Sequence, residues 1–454
     1  MSGRVYDADI YAFDRMPRHH WMMTAGPAPD VAQARLERDI TVDVAVIGGG
    51  YTGLFAAHRL ASRHGMSVAV LEAGAGIGWG ASGANGGFVS MGGSKLKIAE
   101  MVRRVGEAET RRYWATQTAA VEELRAFITD HAIDCEMTGD GNLCVAHHPS
   151  LAPALAEHAD ILSKRFGVPA DYIEAGRFRR EFHDGPEAHG ALRLRPGFAM
   201  HPLRLVRGLA RVAKASGAAL YTDAEIVGWR REGNRHLLST ATGANISAGR
   251  VVIATNGYTP NGLKPSVAFR SLPAISSIVV TQAYGEAELD ARGFRSETPI
   301  YSTRNLVRYY RRLPGGRILF GMRGDTRGTT AAGRAQSAET IAALKRVLPA
   351  FSDARISSAW RGLVCLTARR TLALGLDPGD ASIAFAFGCH GSGTATMSWS
   401  GRLLADLVAG AAGEDDVPAL FRGLPPRLPP SNMALRWGLR TAYAFYGLRD
   451  ALHV

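Results

Sequence analysis

The stretch Val44 to Ala57, VAVIGGGYTGLFAA, constrains this chain more than any other part of it. Four consecutive apolar residues, Val44 to Ile47, leave no polar face to turn toward water, which predicts a strand buried on both sides in a parallel sheet. The strand runs into Gly48-x-Gly50-x-x-Gly53, where each glycine has its own task. The first permits a tight turn, the second lets backbone approach a pyrophosphate, and the third lets the next helix pack close to the strand. The N-terminus of that helix offers free N–H groups and the positive end of a dipole to phosphate oxygens.

The residues beyond the glycines agree with a nucleotide-binding turn. Leu54 to Ser62, LFAAHRLAS, continues as helix, Gly65 ends it, and MSVAVLEAG (66–74) supplies a second apolar strand. That strand closes on Glu72, 19 residues past Gly53, where a carboxylate is needed to accept hydrogen bonds from a ribose diol. The motif therefore predicts a nucleotide whose ribose carries no phosphate.

The length of 454 residues exceeds one typical core, so two domains or one elaborated domain are expected. A net charge of +12 invites a nucleic-acid reading, but its distribution opposes one. Only six of the 53 basic residues are Lys, and the arginines are scattered among acids with no basic block. No apolar run reaches the length of a membrane span, and the N-terminal segment MSGRVYDADIYAFDRMPRHHWMM lacks the core of a secretory signal. Cys135, Cys144, Cys365 and Cys389 show no metal or disulfide spacing, which predicts reduced thiols, no metal site and a cytoplasmic protein.

Along the chain, residues 1–40 read as an arm with little regular structure. Residues 98–130 and 150–166 have helical apolar spacing, as do 202–213, PLRLVRGLARVA. A series of strands then ends in a buried one at Val251 to Ala254. This late return predicts a nucleotide domain assembled from separated segments. Residues 275–323 read as a β-rich layer, with a hairpin turning at Pro314-Gly315-Gly316. Ile383 to Gly410 is a strand, a glycine-rich turn and a helix, which predicts a second anion-stabilising helix N-terminus near Gly391 to Thr394. The tail, MALRWGLRTAYAFYGLRDALHV, reads as an amphipathic basic helix that packs on the protein.

In combination and in this order, DVAVIGGGYTGLFAAHRLA, VLEAGAGIGWGASGANGGFVS, VVIATNGYT, YYRRLPGGRILFGMRG and FGCHGSGTATMSWSGRLLADLV resemble the D-amino-acid oxidase superfamily of flavoproteins. The branch resembled is that of gamma-glutamylputrescine oxidase and related glycine and sarcosine oxidases. The resemblance implies an α/β plus α+β architecture: a Rossmann-like FAD-binding domain built from 41–100, 196–262 and 355–425, and a β-rich substrate domain from 101–195 and 263–354 covering the flavin. Residues 426–454 would form a C-terminal helical tail. It implies non-covalent FAD held by Gly48, Gly50, Tyr51, Thr52 and Gly53, with Glu72 and Ala73 at the ribose. Ala81, Ser82, Asn85, Gly86 and Gly87 would form the second flavin loop. Val227 would touch adenine, with Ala254, Thr255 and Asn256 crossing above it, and Gly391, Ser392, Gly393 and Thr394 would face the flavin pyrimidine edge. Two positions depart from the branch pattern. Ala84 stands where Arg is usual, and Gly388-Cys389-His390-Gly391-Ser392-Gly393 exchanges Ser and His in the terminal loop.

The implied reaction is oxidation of a C–N bond in a small amine or amino acid: hydride passes to flavin N5, the imine hydrolyses, and oxygen reoxidises the flavin to give hydrogen peroxide. The alternatives are a dehydrogenase using another electron acceptor and a non-catalytic FAD-binding protein. Strand alternation in the hairpin places Arg308 and Tyr310 on one face and Val307, Tyr309 and Arg311 on the other. With the first face inward, Arg308 would clamp a carboxylate and Tyr310 would hydrogen-bond it. Trp360 is a candidate wall of the site and His390 a candidate neighbour of the ring, while Cys365 is expected to be an inert core residue.

Overall fold

The computed structural model describes residues 3–27 and 34–453. Two sheets organise the chain. The first has nine strands, with a parallel run in the order Ala34–Arg35, Ala219–Thr222, Val68–Leu71, Ile40–Ile47, Asn245–Ile253. Asn245–Ile253 then splits its far edge between two neighbours. Its first half pairs antiparallel with Arg235–Thr240, and its last three residues pair parallel with Asp380–Phe387. Three distant stretches of sequence thus meet in one sheet.

The alternation of side chains explains why these strands are apolar throughout. Val44, Val46 and Val70 face a core shared with Leu54, Leu209 and Leu404 of the helices Tyr51–His64, Pro202–Ala215 and Thr394–Ala409. Ala45, Ile47, Ala69 and Leu71 face the opposite side, where Ile226, Leu238, Ile246 and Phe385 close a second core. With both faces covered, no position in the strand can be polar. The helices Tyr51–His64 and Thr394–Ala409 cross so tightly that a Cβ at Gly401 would lie 2.3 Å from the Thr52 carbonyl oxygen.

The second sheet has eight strands, in the order Ile356–Leu366, Leu272–Thr281, Arg317–Arg323, Tyr309–Leu313, Ile300–Ser302, Asn142–Val145, Ala191–Leu194, Ala170–Ile173. The expected hairpin is present, and Gly315 and Gly316 take φ of 80° and 75° at its turn. The expected boundary at residue 355 needs correction. Ile356–Leu366 pairs with Leu272–Thr281, so the chain re-enters the first sheet only at Ala373. The helix expected over 98–130 is interrupted at Gly106, whose φ of 80° and ψ of 171° separate two helical pieces. The segment expected as one helix over 150–166 passes from a 3-10 turn through α-helix to a π-helical turn at Ile161–Arg165.

The arm is short on regular structure, as expected, but it is not loose. Val5, Tyr6, Ile10, Tyr11 and Trp21 are buried. No helix among the described residues is long and apolar enough to cross a membrane.

Candidate active site

A cleft opens at the carboxyl ends of the parallel strands, the position at which an open α/β sheet presents its loops to a ligand. Gly48, Gly50, Glu72, Ala73, Ala81, Ser82, Ala254, Thr255 and Asn256, all candidates from the sequence, line it together. Gly48 has φ of 110°, and a Cβ there would stand 2.9 Å from the Ala254 carbonyl oxygen. Gly53 lies behind the turn, where a Cβ would be 2.0 Å from the Gly48 carbonyl oxygen, so the helix reaches the strand only because the residue is glycine. Glu72 accepts the Gly49 N–H and the Gly74 N–H, each at 2.8 Å, one on each carboxylate oxygen. Burial pushes its carboxyl above the usual range, and these backbone donors oppose that shift. Each oxygen retains a lone pair for a ribose hydroxyl. Bare glycine backbone at a helix N-terminus, beside a carboxylate with free acceptor capacity, fits the pyrophosphate and ribose of FAD.

Tyr51 and Thr52 serve this cleft from behind. The Thr52 hydroxyl donates to the Met397 carbonyl at 3.1 Å, tying the two crossing helices together, and Tyr51 is buried with its hydroxyl accepting from Asn85 at 3.3 Å. Val227 does not line the cleft; it is 64% exposed, and the neighbouring Glu225 and Ile226 take the place expected for it.

The second loop, residues 81–87, is braced internally. The Asn85 amide donates to the carbonyls of Ala81 and Ser82 and accepts the Gly87 N–H at 2.7 Å. Two indoles hold it from outside. Trp360 Nε1 donates to the Ala84 carbonyl at 2.7 Å and Trp21 Nε1 to the Asn85 carbonyl at 2.8 Å. Trp360 is thus a buried support of the loop. Arg311 donates to the carbonyls of Gly86 and Met200 at 3.0 and 2.7 Å, and burial pulls its guanidinium down to about 9.

That contact sets the Tyr309 and Arg311 face of the hairpin, and not the Arg308 and Tyr310 face, against the second loop. Tyr309 and Arg311 point toward the second loop; Tyr309 packs edge-on against Phe88 and its hydroxyl lies 3.1 Å from Ser276 Oγ. Tyr310 instead faces the far core, stacked with Phe320 and edge-on to Phe294 and His183. Arg308 lies 3.6 Å from Glu187, itself paired with Arg304. Both faces of this sheet are buried, so the hairpin carries no polar and apolar alternation to say which face looks inward.

Two cations that sequence reasoning missed share the inward side. Arg323, at the end of the second hairpin strand, donates to the His390 carbonyl at 3.1 Å, and a Cβ at Gly391 would lie 2.7 Å from its guanidinium. The Lys95 side chain is solvent-accessible, and desolvation, with Arg323 adding to the effect, pulls its ammonium down to about 8. Burial pushes the neighbouring Tyr309 up to about 12, so it stays a phenol. Neither cation belongs to a glycine motif or a regular pattern, and only the fold brings them together.

Gly391, Ser392, Gly393 and Thr394 form the turn into Thr394–Ala409 as expected, with the Thr394 hydroxyl donating to the Phe88 carbonyl at 2.9 Å. His390 takes φ of 52° and turns its ring inward, 3.3 Å from the Thr367 hydroxyl. Burial, reinforced by Lys95 and Arg323, pulls its imidazole down to about 3, so it is neutral and built into the turn. Asn256 links this turn to the cleft, accepting the Gly388 N–H at 3.0 Å. Cys365 is fully buried, and burial raises its thiol well above the usual range.

Sequence reasoning also missed the arm. Arg4 pairs with Glu225 and lies over the rings of Tyr11 and Phe13 at 4.9 and 4.7 Å, while Phe13 packs edge-on against Trp79 at 4.6 Å. Arg4, Phe13 and Trp79 all line the cleft.

Comparison with known proteins agrees with this arrangement. Over 425 residues the chain is 32% identical to a probable oxidoreductase OrdL of Rhizobium meliloti, covering 90% of this chain and 92% of the relative. It is 30% identical to the gamma-glutamylputrescine oxidoreductase of Escherichia coli, covering 92% and 95%. The crystal structure of glycine oxidase from Geobacillus kaustophilus superposes with a TM-score of 0.69 at 22% identity, covering 86% of this chain and 100% of that one. The family model described as FAD dependent oxidoreductase matches residues 43–407, and the chain belongs to this DAO family of flavoproteins.

Proposed function

We propose that this flavoprotein oxidises the C–N bond of a small amine or amino acid that also carries an anionic group, and that oxygen is its electron acceptor. The observation that carries the reading is the convergence of Lys95 and Arg323 beside Tyr309 and Ser276, next to the turn at Gly391. Arg323 offers a planar fork suited to a carboxylate, and Lys95 a second charge that desolvation strengthens. These two take the clamping role that the sequence assigned to Arg308, and Tyr309 takes the hydrogen-bonding role assigned to Tyr310. Resemblance to gamma-glutamylputrescine oxidoreductase and glycine oxidase, whose names point to carboxylate-bearing amines, supports the same substrate class.

Bound FAD would supply the two-electron acceptor, taking hydride from the substrate carbon and passing electrons on to oxygen as hydrogen peroxide. The protein's own groups would hold the substrate by its anionic end and direct the N-terminus of Thr394–Ala409 at the site where negative charge develops. Tyr309 as a phenol and neutral His390 add no charge of their own beside Lys95 and Arg323.

The test is anaerobic mixing of the purified holoenzyme with amines that carry a carboxylate and with matched amines that lack one, followed by admission of air. Bleaching of the visible flavin bands by the carboxylate-bearing set, with recovery and peroxide in air, is expected. Bleaching by the uncharged set alone overturns the anionic clamp, and bleaching without peroxide overturns the role of oxygen.

A further inference from the structure

The helix Asn432–Ala451 is docked on the body of the protein by one face only. Leu435 and Leu439 are buried, Asn432 donates to the Arg4 carbonyl at 2.8 Å, and the Asp450 carboxylate accepts the N–H groups of Asn305 and Leu306 at 2.7 and 2.9 Å. Anchored at both ends, it presents a fixed outer face. Among the described residues eight large hydrophobic side chains are exposed, and five of them, Met433, Trp437, Phe445, Leu448 and Leu452, lie on this helix or the residue that ends it. Their spacing places them in one stripe, roughly 30 Å long for 20 residues. The exposed positions between them are Ala434, Gly438, Thr441, Ala444 and Ala451, none of them charged, and the Thr441 hydroxyl donates to the Trp437 carbonyl within the helix.

The borders of the stripe are basic. Arg440 lies over the Trp437 ring at 5.0 Å and Arg449 over Phe445 at 6.0 Å. Arg436 and Arg440 line a groove with Arg327, Thr329, Met433 and Trp437, in which Asp7 is the one carboxylate. The one acid of the helix itself, Asp450, is committed to the 305–306 backbone. A second copy of the same face would bring these arginines together with few acids to receive them. A surface of anionic lipid headgroups answers both features, since aromatic and aliphatic side chains enter the headgroup boundary while arginines at their flanks meet phosphate. The net charge of +12 acts in the same direction.

We propose that this helix seats the enzyme on the surface of an anionic phospholipid bilayer, lying in the interface without crossing it. The experiment is flotation of the flavin-loaded full chain with vesicles of phosphatidylcholine alone or mixed with phosphatidylglycerol, at low and high salt. Binding to the mixed vesicles should exceed binding to the neutral ones by on the order of tenfold and fall with added salt. The double variant Trp437→Glu, Phe445→Glu should lose binding on both kinds of vesicle, whereas Arg436→Gln with Arg440→Gln should lose the preference for the anionic one. Each variant is checked for an unchanged flavin spectrum and melting temperature. Trp437 and Phe445 are exposed, Arg436 and Arg440 are half-buried with Arg440 donating to the Thr326 hydroxyl at 3.0 Å, and all four lie outside the active site, so folding should survive. Failure of the unaltered enzyme to float with anionic vesicles overturns the proposal. So does unchanged binding by the glutamate variant, or light scattering that shows a dimer which those glutamates dissociate, since a second copy would then cover the stripe.

Discussion

The Lys95 side chain is solvent-accessible, and desolvation, with Arg323 beside it, brings its ammonium down to about 8. It is charged below that pH and neutral above it. If it holds an anionic group of the substrate, its contribution is present at neutral pH and is lost as pH rises through about 8. The wild-type to Lys95→Gln ratio in kcat/KM should therefore fall toward one across that interval, measured as steady-state profiles for one carboxylate-bearing amine. Taking the ratio removes the titration of the substrate amine, which both enzymes share. Lys95→Arg should keep the advantage at higher pH, and a flat ratio would show that the lysine does not touch the substrate's charge. The two hairpin tyrosines give a paired test. Tyr310→Phe, in the far core, should leave kcat/KM within about twofold, while Tyr309→Phe, beside Ser276 and Arg323, should lower it by roughly tenfold, the worth of one hydrogen bond of ~1.4 kcal/mol. Equal effects would mean that the hairpin face has been assigned wrongly. Tyr309 and Tyr310 are adjacent, equally aromatic and both enclosed, so nothing local in the chain distinguishes their roles.

At the scale of elements, the glycine turn between Ile40–Ile47 and Tyr51–His64 was readable because its constraints are local: a strand, a turn that needs positive φ, and a helix that must start against the strand. Gly53→Ala tests the last of these. Its Cβ would meet the Gly48 carbonyl oxygen at 2.0 Å, so either the turn or the helix start must move, at a cost of about 1–3 kcal/mol or more. The flavin-to-protein absorbance ratio of the purified variant should fall several-fold, and unfolding should come at lower denaturant. Gly438→Ala provides the contrast. A Cβ there meets nothing within 4 Å and lies inside a helix, so it should stabilise by about 0.5–1 kcal/mol and leave flavin content unchanged. The strand Ile356–Leu366 was harder to place, because its apolar run fits either sheet and only its pairing with Leu272–Thr281 decides between them. The break at Gly106 was concealed likewise, since apolar spacing continues across it.

Across the whole molecule, motifs that repeat a local geometry were legible, whereas contacts that join distant parts of the chain were not. Lys95 and Arg323, 228 positions apart in sequence, belong to this second class, and so does the arm. Its first described residues return to the far end of the nucleotide cleft, where Arg4 lies between Glu225 and the rings of Tyr11 and Phe13. An arm of this composition reads as loose when its own residues are considered alone, because its order comes from Trp79, Glu225 and Tyr258, all supplied by the nucleotide domain. Arg4, Phe13 and Trp79 share the cleft lining with Glu72, so with the cofactor's ribose at Glu72 the arm would cover its adenosine end, a proposal with a measurable consequence. Arg4→Ala removes an ion pair and two cation–π contacts that are partly sheltered from solvent, each worth roughly 0.5–2 kcal/mol. The rate at which FAD leaves the holoenzyme, followed as the gain of free-flavin fluorescence on dilution, should rise by about tenfold. The spectrum of bound flavin and kcat at saturating FAD should stay as they are, because Arg4 is remote from Lys95, Arg323 and Tyr309. An unchanged dissociation rate would make the arm a packing element of the fold, and a fall in kcat with FAD saturating would place it closer to the chemistry than the cleft geometry allows.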